Sequence, residues 1–492
     1  MRQIIRSAIL MGFIFVLSSA HAGTTFTSVQ SGDWRDRATW GTGFGPGTPT
    51  VDCPGANDTA NIGTTGQHEV TLSNAEQAQT ITIGNASVNS RLKVQFGGIT
   101  VAGNVTITSM SNMEINTNGS IGGTLSVATN AWFNANGTVS LSVISGTGDI
   151  GGTFIVGADN SSSTFNGRLY GFPSITKSGS GTLTLAPAST SGPSDGTFII
   201  SLGTLRLSSS GGFDGVFSDT ASTIQVDGGA FDVNNISETV GALQGAGNVT
   251  LGAAVLTVNN NNPCTYSGAM SGSGGLTKKN FGTLTITGAN SYTGATTVNA
   301  GMLEIGAGAL PDSSTVRLNG GSLSTNGGSF PLGTTEVIGA LDGYGTVFIP
   351  GSLTLGGNNT STTFYGIIDL PQFGMDANVL TKTGSGTFSV GDEIRGTLSS
   401  PYLTVNVSAG NLRLMESDVL QDQCNLTVAA GARFDLNNYN ETVGALSGAG
   451  TVYFADYNST LRVGFNNTNT TFSGTLAGNS TPGFVPFLLE KQ

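Results

Sequence analysis

The feature that most constrains this chain is an internal repeat of roughly 100 residues, and such a period is sought before any local structure. A G-x-G element following closely on an apolar pair occurs at Gly146-Thr147-Gly148, Gly245-Ala246-Gly247, Gly343-Tyr344-Gly345 and Gly448-Ala449-Gly450, in steps of 99, 98 and 105 residues. Two copies are nearly identical, Glu238-Thr-Val-Gly-Ala-Leu-Gln-Gly-Ala-Gly247 and Glu441-Thr-Val-Gly-Ala-Leu-Ser-Gly-Ala-Gly450. A Thr-aromatic pair with Gly two residues later follows at Thr164-Phe165, Thr265-Tyr266, Thr363-Phe364 and Thr471-Phe472. Next come Ile175-Thr-Lys-Ser-Gly-Ser-Gly-Thr-Leu183, Leu276-Thr-Lys-Lys-Asn-Phe-Gly-Thr-Leu284 and Leu380-Thr-Lys-Thr-Gly-Ser-Gly-Thr-Phe388. The last marker is G-x-L-x-[LI], at Gly203–Leu207, Gly301–Ile305 and Gly410–Leu414.

Within each unit apolar and polar residues alternate. Thr283-Leu-Thr-Ile-Thr287 puts Leu284 and Ile286 on one face and threonines on the other, as do Leu205/Leu207, Leu303/Ile305 and Leu412/Leu414. Gly, Asn, Asp and Ser fill the intervals, residues suited to left-handed turns. No stretch carries a helical period of useful length. The 75 glycines, about twice ordinary usage, follow from these turns, and 10% charged residues exclude a coiled coil or charge-rich disorder. Propeller blades would show their own signature, and a sandwich array would show linkers. The pattern predicts an all-β, single-stranded parallel β-helix, a β-solenoid. At roughly 20–25 residues and about 4.8 Å per coil, the rod would be on the order of 100 Å long.

The run Leu276-Thr-Lys-Lys-Asn-Phe-Gly-Thr-Leu-Thr-Ile-Thr-Gly-Ala-Asn-Ser-Tyr-Thr-Gly-Ala-Thr-Thr-Val-Asn-Ala-Gly-Met-Leu-Glu-Ile-Gly306 resembles the autotransporter-associated β-strand repeat, or passenger-associated transport repeat, from end to end. The segments 175–207 and 380–414 resemble it without the A-N-x-Y-x-G centre. The resemblance implies a right-handed β-helix displayed on a bacterial surface, an autotransporter passenger. Gly32-Asp-Trp-Arg-Asp-Arg-Ala-Thr-Trp40 and Asp58-Thr-Ala-Asn-Ile62 resemble the start of bacterial β-helical surface proteins. Trp34 and Trp40 are expected to cover the open edge of the first coil.

Residues 1–22 read as a secretory leader. Arg2 and Arg6 precede the apolar run Ala8–Leu17, and cleavage is expected between Ala22 and Gly23. The chain therefore divides into a leader (1–22), an N-terminal cap of the solenoid (23–65) and the repetitive β-helix (66–492). It stops at Leu488-Leu-Glu-Lys-Gln492. Lys177, Lys278, Lys382 and Lys491 step by 101, 104 and 109, so the last residues fall inside a fourth copy of the L-x-K element. The expectation is a truncated reading frame or fragment, with membrane attachment only through a missing C-terminal region.

Removing the leader takes the formal charge from −12 to −14, since 16 Lys and Arg then face 30 acids. That balance excludes a nucleic-acid binder. His68 is the single histidine left, so multi-histidine metal sites are excluded and one candidate remains for a Ser-His or Cys-His pair. Cys53, Cys264 and Cys424 are an odd, widely spaced set and are not expected to staple the fold. Gly146, Gly148 and Gly151 spell a G-x-G-x-x-G, but with no helix after it the reading is a turn. The densest charges are Asp392-Glu393 and Glu416/Asp418 beside Arg395 and Arg413, and neighbouring carboxylates on a strand would face opposite sides. The lysine column is expected to sit beside turns as a solvated, edge-blunting feature; a binding stripe is the alternative.

Taken together, no catalytic residue, cofactor or metal is expected. The expected role is an exported, non-catalytic surface stalk or adhesin-like passenger, at the cell surface, in the outer membrane or secreted. Surface glycans, other cells or further copies of the chain are its expected partners, met by weak multivalent contact. A secreted polysaccharide lyase or hydrolase and a structural surface-layer protein are the alternatives.

Overall fold

The computed structural model describes residues 23–42, 51–85, 87–171, 173–186, 195–208, 216–325, 335–371, 378–396, 403–455, 459–478 and 488–491. The leader and Ala22 lie outside the described residues, and Gly23 is the first of them. Among them, helix is confined to the single turn Arg37–Trp40, and no helix is long and apolar enough to cross a membrane.

Every ladder between named strands is parallel, as in Thr59–Ile62 on Thr80–Ile83 and Thr283–Ile286 on Met302–Ile305. The chain is a β-solenoid of about 18 turns. Successive coils pair at steps that vary with loop length, from 15 residues (Val139 on Phe154) to 38 (Gly32 on Val70). At about 4.8 Å between strands, the stack is on the order of 90 Å long.

The alternation read in the sequence is what builds it. Thr182–Leu185 buries Leu183 and Leu185 and turns its threonines outward, and Leu183 sits on Leu205 of the next coil. A parallel stack thus places like on like. Apolar side chains merge into one core running from Phe26 to Leu461. Outside, polar residues form ladders: Asn136 Nδ2 donates to Asn116 Oδ1 at 2.6 Å, and Thr59 and Thr80 hydroxyls meet at 2.9 Å.

At the N-terminal end Trp34 is fully buried, and its edge meets the Trp40 ring at 5.3 Å. Both indoles are hydrogen-bonded, Trp34 Nε1 to Pro54 O and Trp40 Nε1 to Trp34 O. The strand Thr25–Thr27 already pairs with Thr59–Ile62, so coil stacking begins within the 23–65 region.

Candidate functional site

The four sequence markers are the upper and lower halves of two stacked contacts. In the first, the leading glycine of each G-x-G has nearly the same left-handed φ: Gly146 108°, Gly245 96°, Gly343 96° and Gly448 104°. A Cβ there would lie within 2.2 Å of a carbonyl oxygen of the coil below, that of Val127, Val226, Leu318 or Val428. Only glycine satisfies both demands. The aromatic marker packs on the other side. Tyr266 pairs with Gly245, Phe364 with Gly343 and Phe472 with Gly448. Strands surround the Gly146–Gly151 run, with no helix after it, so the turn reading holds.

The second contact joins the lysine marker to the G-x-L-x-[LI] marker and corrects the expectation for the lysines. Lys177, Lys278 and Lys382 are 1%, 0% and 2% exposed. Each strand ends on its lysine and enters a turn through a left-handed residue: Gly179, Asn280 or Gly384. That turn points carbonyl oxygens inward, and the ammonium fills the cradle. Lys278 Nζ donates to Lys279 O at 2.8 Å, Asn280 O at 2.7 Å and Ala300 O at 3.4 Å. Lys382 Nζ does the same with Thr383 O, Gly384 O and Ala409 O, and Lys177 with Ser178 O and Gly179 O. A solvated stripe is excluded because each ammonium is spent on orphan carbonyls that would otherwise be buried without a partner. Burial pushes Lys278 and Lys382 down to about 8 and lowers Lys177. Gly203, Gly301 and Gly410, at φ 66–67°, then roof the turn. Lys491 takes the corresponding register, on Val463, but is exposed.

A complementary set escaped the sequence reading. Glu238, Glu336 and Glu441 are buried and accept from backbone N–H groups of the preceding coil. Glu238 takes Val216 and Phe217, Glu336 takes Gly308, and Glu441 takes Val419 and Leu420. Burial raises Glu336 to about 7 and Glu441 to about 8. The signal was present, since Glu336-Val-Ile-Gly-Ala-Leu341 is a third copy of the Glu238 and Glu441 runs. Cations thus cap inward carbonyls and carboxyls cap inward amides, alternating up the rod.

The remaining charges are tied across coils. All ten arginines of the described residues are in ion pairs, most with an acid one coil away, as in Arg206–Asp232 at 2.8 Å and Arg317–Asp342 at 2.9 Å. Arg395 holds Asp369 and Glu393, while Arg413 shares the buried Asp435 with Arg433. Asp392 is not on a strand as expected but in a left-handed turn, φ 67°, its N–H donating to Glu416 Oε1. Of the enzyme candidates, Arg395, Glu393, Arg413 and Glu416 are therefore engaged in bonds within and between coils. His68 Nδ1 lies 2.7 Å from Ser28 Oγ, yet Ser28 is fully buried and accepts from Gly63 N, so no substrate reaches it. Cys53, Cys264 and Cys424 are free and buried, and desolvation raises all three, Cys53 to about 11. No group of three or more His, Cys, Asp or Glu poised for a metal occurs among the described residues.

Two surface features remain. A cavity of about 450 Å³ near the N-terminal end is floored by Gly97, Gly98 and Gly119 and walled by Arg35 and Glu76, which already neutralise each other at 2.5 Å. On the flank, Tyr344, Phe348 and Tyr365 are exposed on two consecutive coils, with Tyr344 in register with Tyr365.

Passenger-associated-transport-repeat matches fall at residues 175–207 and 276–305, each spanning a buried lysine and its glycine roof. Over 163 residues the chain is 34% identical to the adhesin BmaC autotransporter of Brucella suis biovar 1 (strain 1330). The alignment takes in 31% of this chain and 5% of that protein, so the chain spans a small part of its relative's length. No solved structure matches the chain. The chain thus carries two passenger-associated transport repeats of the autotransporter-associated kind.

Proposed function

We propose that this repeat protein is an exported, non-catalytic passenger: a β-helical stalk that carries adhesive surface outward from the cell. The observation that supports this most is the coincidence of the transport repeat with the buried Lys–Gly contacts, together with sequence shared with an autotransporter adhesin. A rod whose arginines are tied by coil-to-coil ion pairs offers a long polar flank, suited to many weak contacts at once. Export through the 1–22 leader, with cleavage between Ala22 and Gly23, is part of the proposal.

The test is expression of the intact gene in its own host. The expected result is a polypeptide beginning at Gly23, labelled by antibody on unpermeabilised cells and removed by external protease, with purified protein on beads adhering to cells. Retention in the cytoplasm with residues 1–22 attached refutes export. Beads that adhere no better than an albumin control refute the adhesive role.

A further inference from the structure

We propose that the flank around Tyr344 and Tyr365 is a binding platform for an uncharged polysaccharide; this rests on the adhesive reading and assigns it a place and a ligand class. Among the described residues six aromatic side chains are largely exposed, and three of them, Tyr344, Phe348 and Tyr365, lie on two adjacent coils. Tyr344 and Tyr365 are direct register partners, so their Cα atoms are about 4.8 Å apart along the rod.

Glycines seat both rings. A Cβ on Gly320 would come 3.3 Å from Tyr344 Cε2, and a Cβ on Gly391 would come 2.9 Å from Tyr365 Cδ1. Gly320 belongs to the coil below Tyr344 and Gly391 to the coil above Tyr365, as their ladders show. The rings are therefore splayed away from each other over bare backbone, and the apolar surface spans four coils. A ring resting on a rigid sheet loses little freedom when a ligand arrives. Tyrosine presents an apolar face with a polar tip, which suits the mixed C–H and hydroxyl surface of a pyranose.

Polar partners flank the rings. Asn319 is in register with Tyr344, and its Nδ2 is committed to Asn299 Oδ1 at 2.8 Å. Asp342, two residues before Tyr344, takes both Arg317 contacts on Oδ2, leaving Oδ1 to accept from a ligand hydroxyl. Thr346 and Thr363 complete the rim, both half-buried.

Charge selects the ligand class. The arginines of the described residues are paired and Lys177, Lys278 and Lys382 are buried, so the cations beside the two tyrosines are neutralised for a uronate, sulfate or phosphate chain; the exposed Lys279 of this column sits three coils below Tyr344. The net charge, −14 once the leader is removed, repels one as well. A neutral chain threaded along the rod meets stacking surface over successive coils.

The test is affinity electrophoresis of the purified chain through gels containing hydroxyethyl cellulose, galactomannan or mixed-linkage β-glucan, with alginate as the anionic probe. Expected is retardation by at least one neutral polymer and none by alginate. Binding should weaken at least tenfold in the Tyr344→Ala/Tyr365→Ala double variant and persist in the corresponding Phe variant. Phe96→Ala, an exposed aromatic 65% accessible near the N-terminal end and many coils from the platform, is the control expected to change nothing. Because both tyrosines are exposed, the double variant should keep the wild-type unfolding profile. Retardation by no neutral polymer, retardation by alginate alone, or neutral binding indifferent to the double variant each overturns the proposal. A concentration-dependent dimer lost in the double variant, without glycan binding, reassigns the patch to contact between copies. Beads carrying the double variant that still adhere to cells would leave the adhesive reading standing while this inference fails.

Discussion

Gly301 and Gly308 share nearly one backbone conformation, φ 66° and 64°, but differ in what surrounds them. An alanine at 308 meets nothing within 4 Å. Its penalty is the left-handed conformation itself, about 1 kcal/mol, offset in part by a stiffer unfolded chain. An alanine at 301 carries the same penalty and places its Cβ 2.5 Å from Asn280 O and Gly282 O and 2.8 Å from Phe281 C. These are backbone atoms of the turn that Lys278 holds, so no side chain can swing aside. The coils must part by several tenths of an ångström. That loosens Met302 N to Gly282 O, already 3.3 Å, and Lys278 Nζ to Ala300 O, already 3.4 Å. At about 1 kcal/mol per weakened bond plus the contact itself, Gly301→Ala should lose about 3–5 kcal/mol, against about 1 for Gly308→Ala. Solenoid stability is a sum over neighbouring coils and need not be two-state. The assay is therefore hydrogen exchange resolved by peptide, comparing 276–305 with distant coils. Gly301→Ala should expose that segment roughly thirtyfold or more beyond what Gly308→Ala exposes in its own. Equal effects from the two variants would refute the claim that close backbone approach, and not left-handed φ, makes this glycine necessary.

Three other outcomes follow from the buried charges and thiols. In Lys278→Met the turn carbonyls lose their donor, while the desolvation that lowers the ammonium to about 8 is relieved. The balance should be a loss of about 1–3 kcal/mol in denaturant midpoint at pH 7, and a gain in stability would contradict the cradle. Glu336 and Glu441 titrate in the folded state near 7 and 8, above their ordinary 4.5, so their contribution is complete below pH 4.5 and disappears as pH rises through 7–8. Lys278 and Lys382 titrate near 8, below 10.5, so theirs is complete above 10.5 and disappears as pH falls through 8. These four groups together favour folding least near pH 8, and a stability profile from pH 4 to 10 should show the acidic limb flatten in Glu441→Gln. Cys53, Cys264 and Cys424 should resist a thiol reagent in the native protein and react together on unfolding, because all three are buried with raised pKa values.

The local rules of this fold were legible in the chain. Alternation in Thr283–Ile286 and its counterparts settled strand and face, Gly and Asn settled the turns, and the roughly hundred-residue recurrence settled that coils stack. These properties depend on neighbours within a few residues, and a parallel stack copies them from coil to coil. The destination of a polar side chain depends on what the adjacent coil presents. Lys177, Lys278 and Lys382 read as solvated turn residues and are instead enclosed, because left-handed turns aim carbonyls inward and leave room for an ammonium. The same holds for Glu238, Glu336 and Glu441, whose amide partners lie 21 to 28 residues earlier. The tyrosine platform likewise needs Gly320 from one coil and Gly391 from another. Periodicity is a property of one strand, whereas burial of a charge and the assembly of a surface belong to pairs of coils brought into register by loops of unequal length.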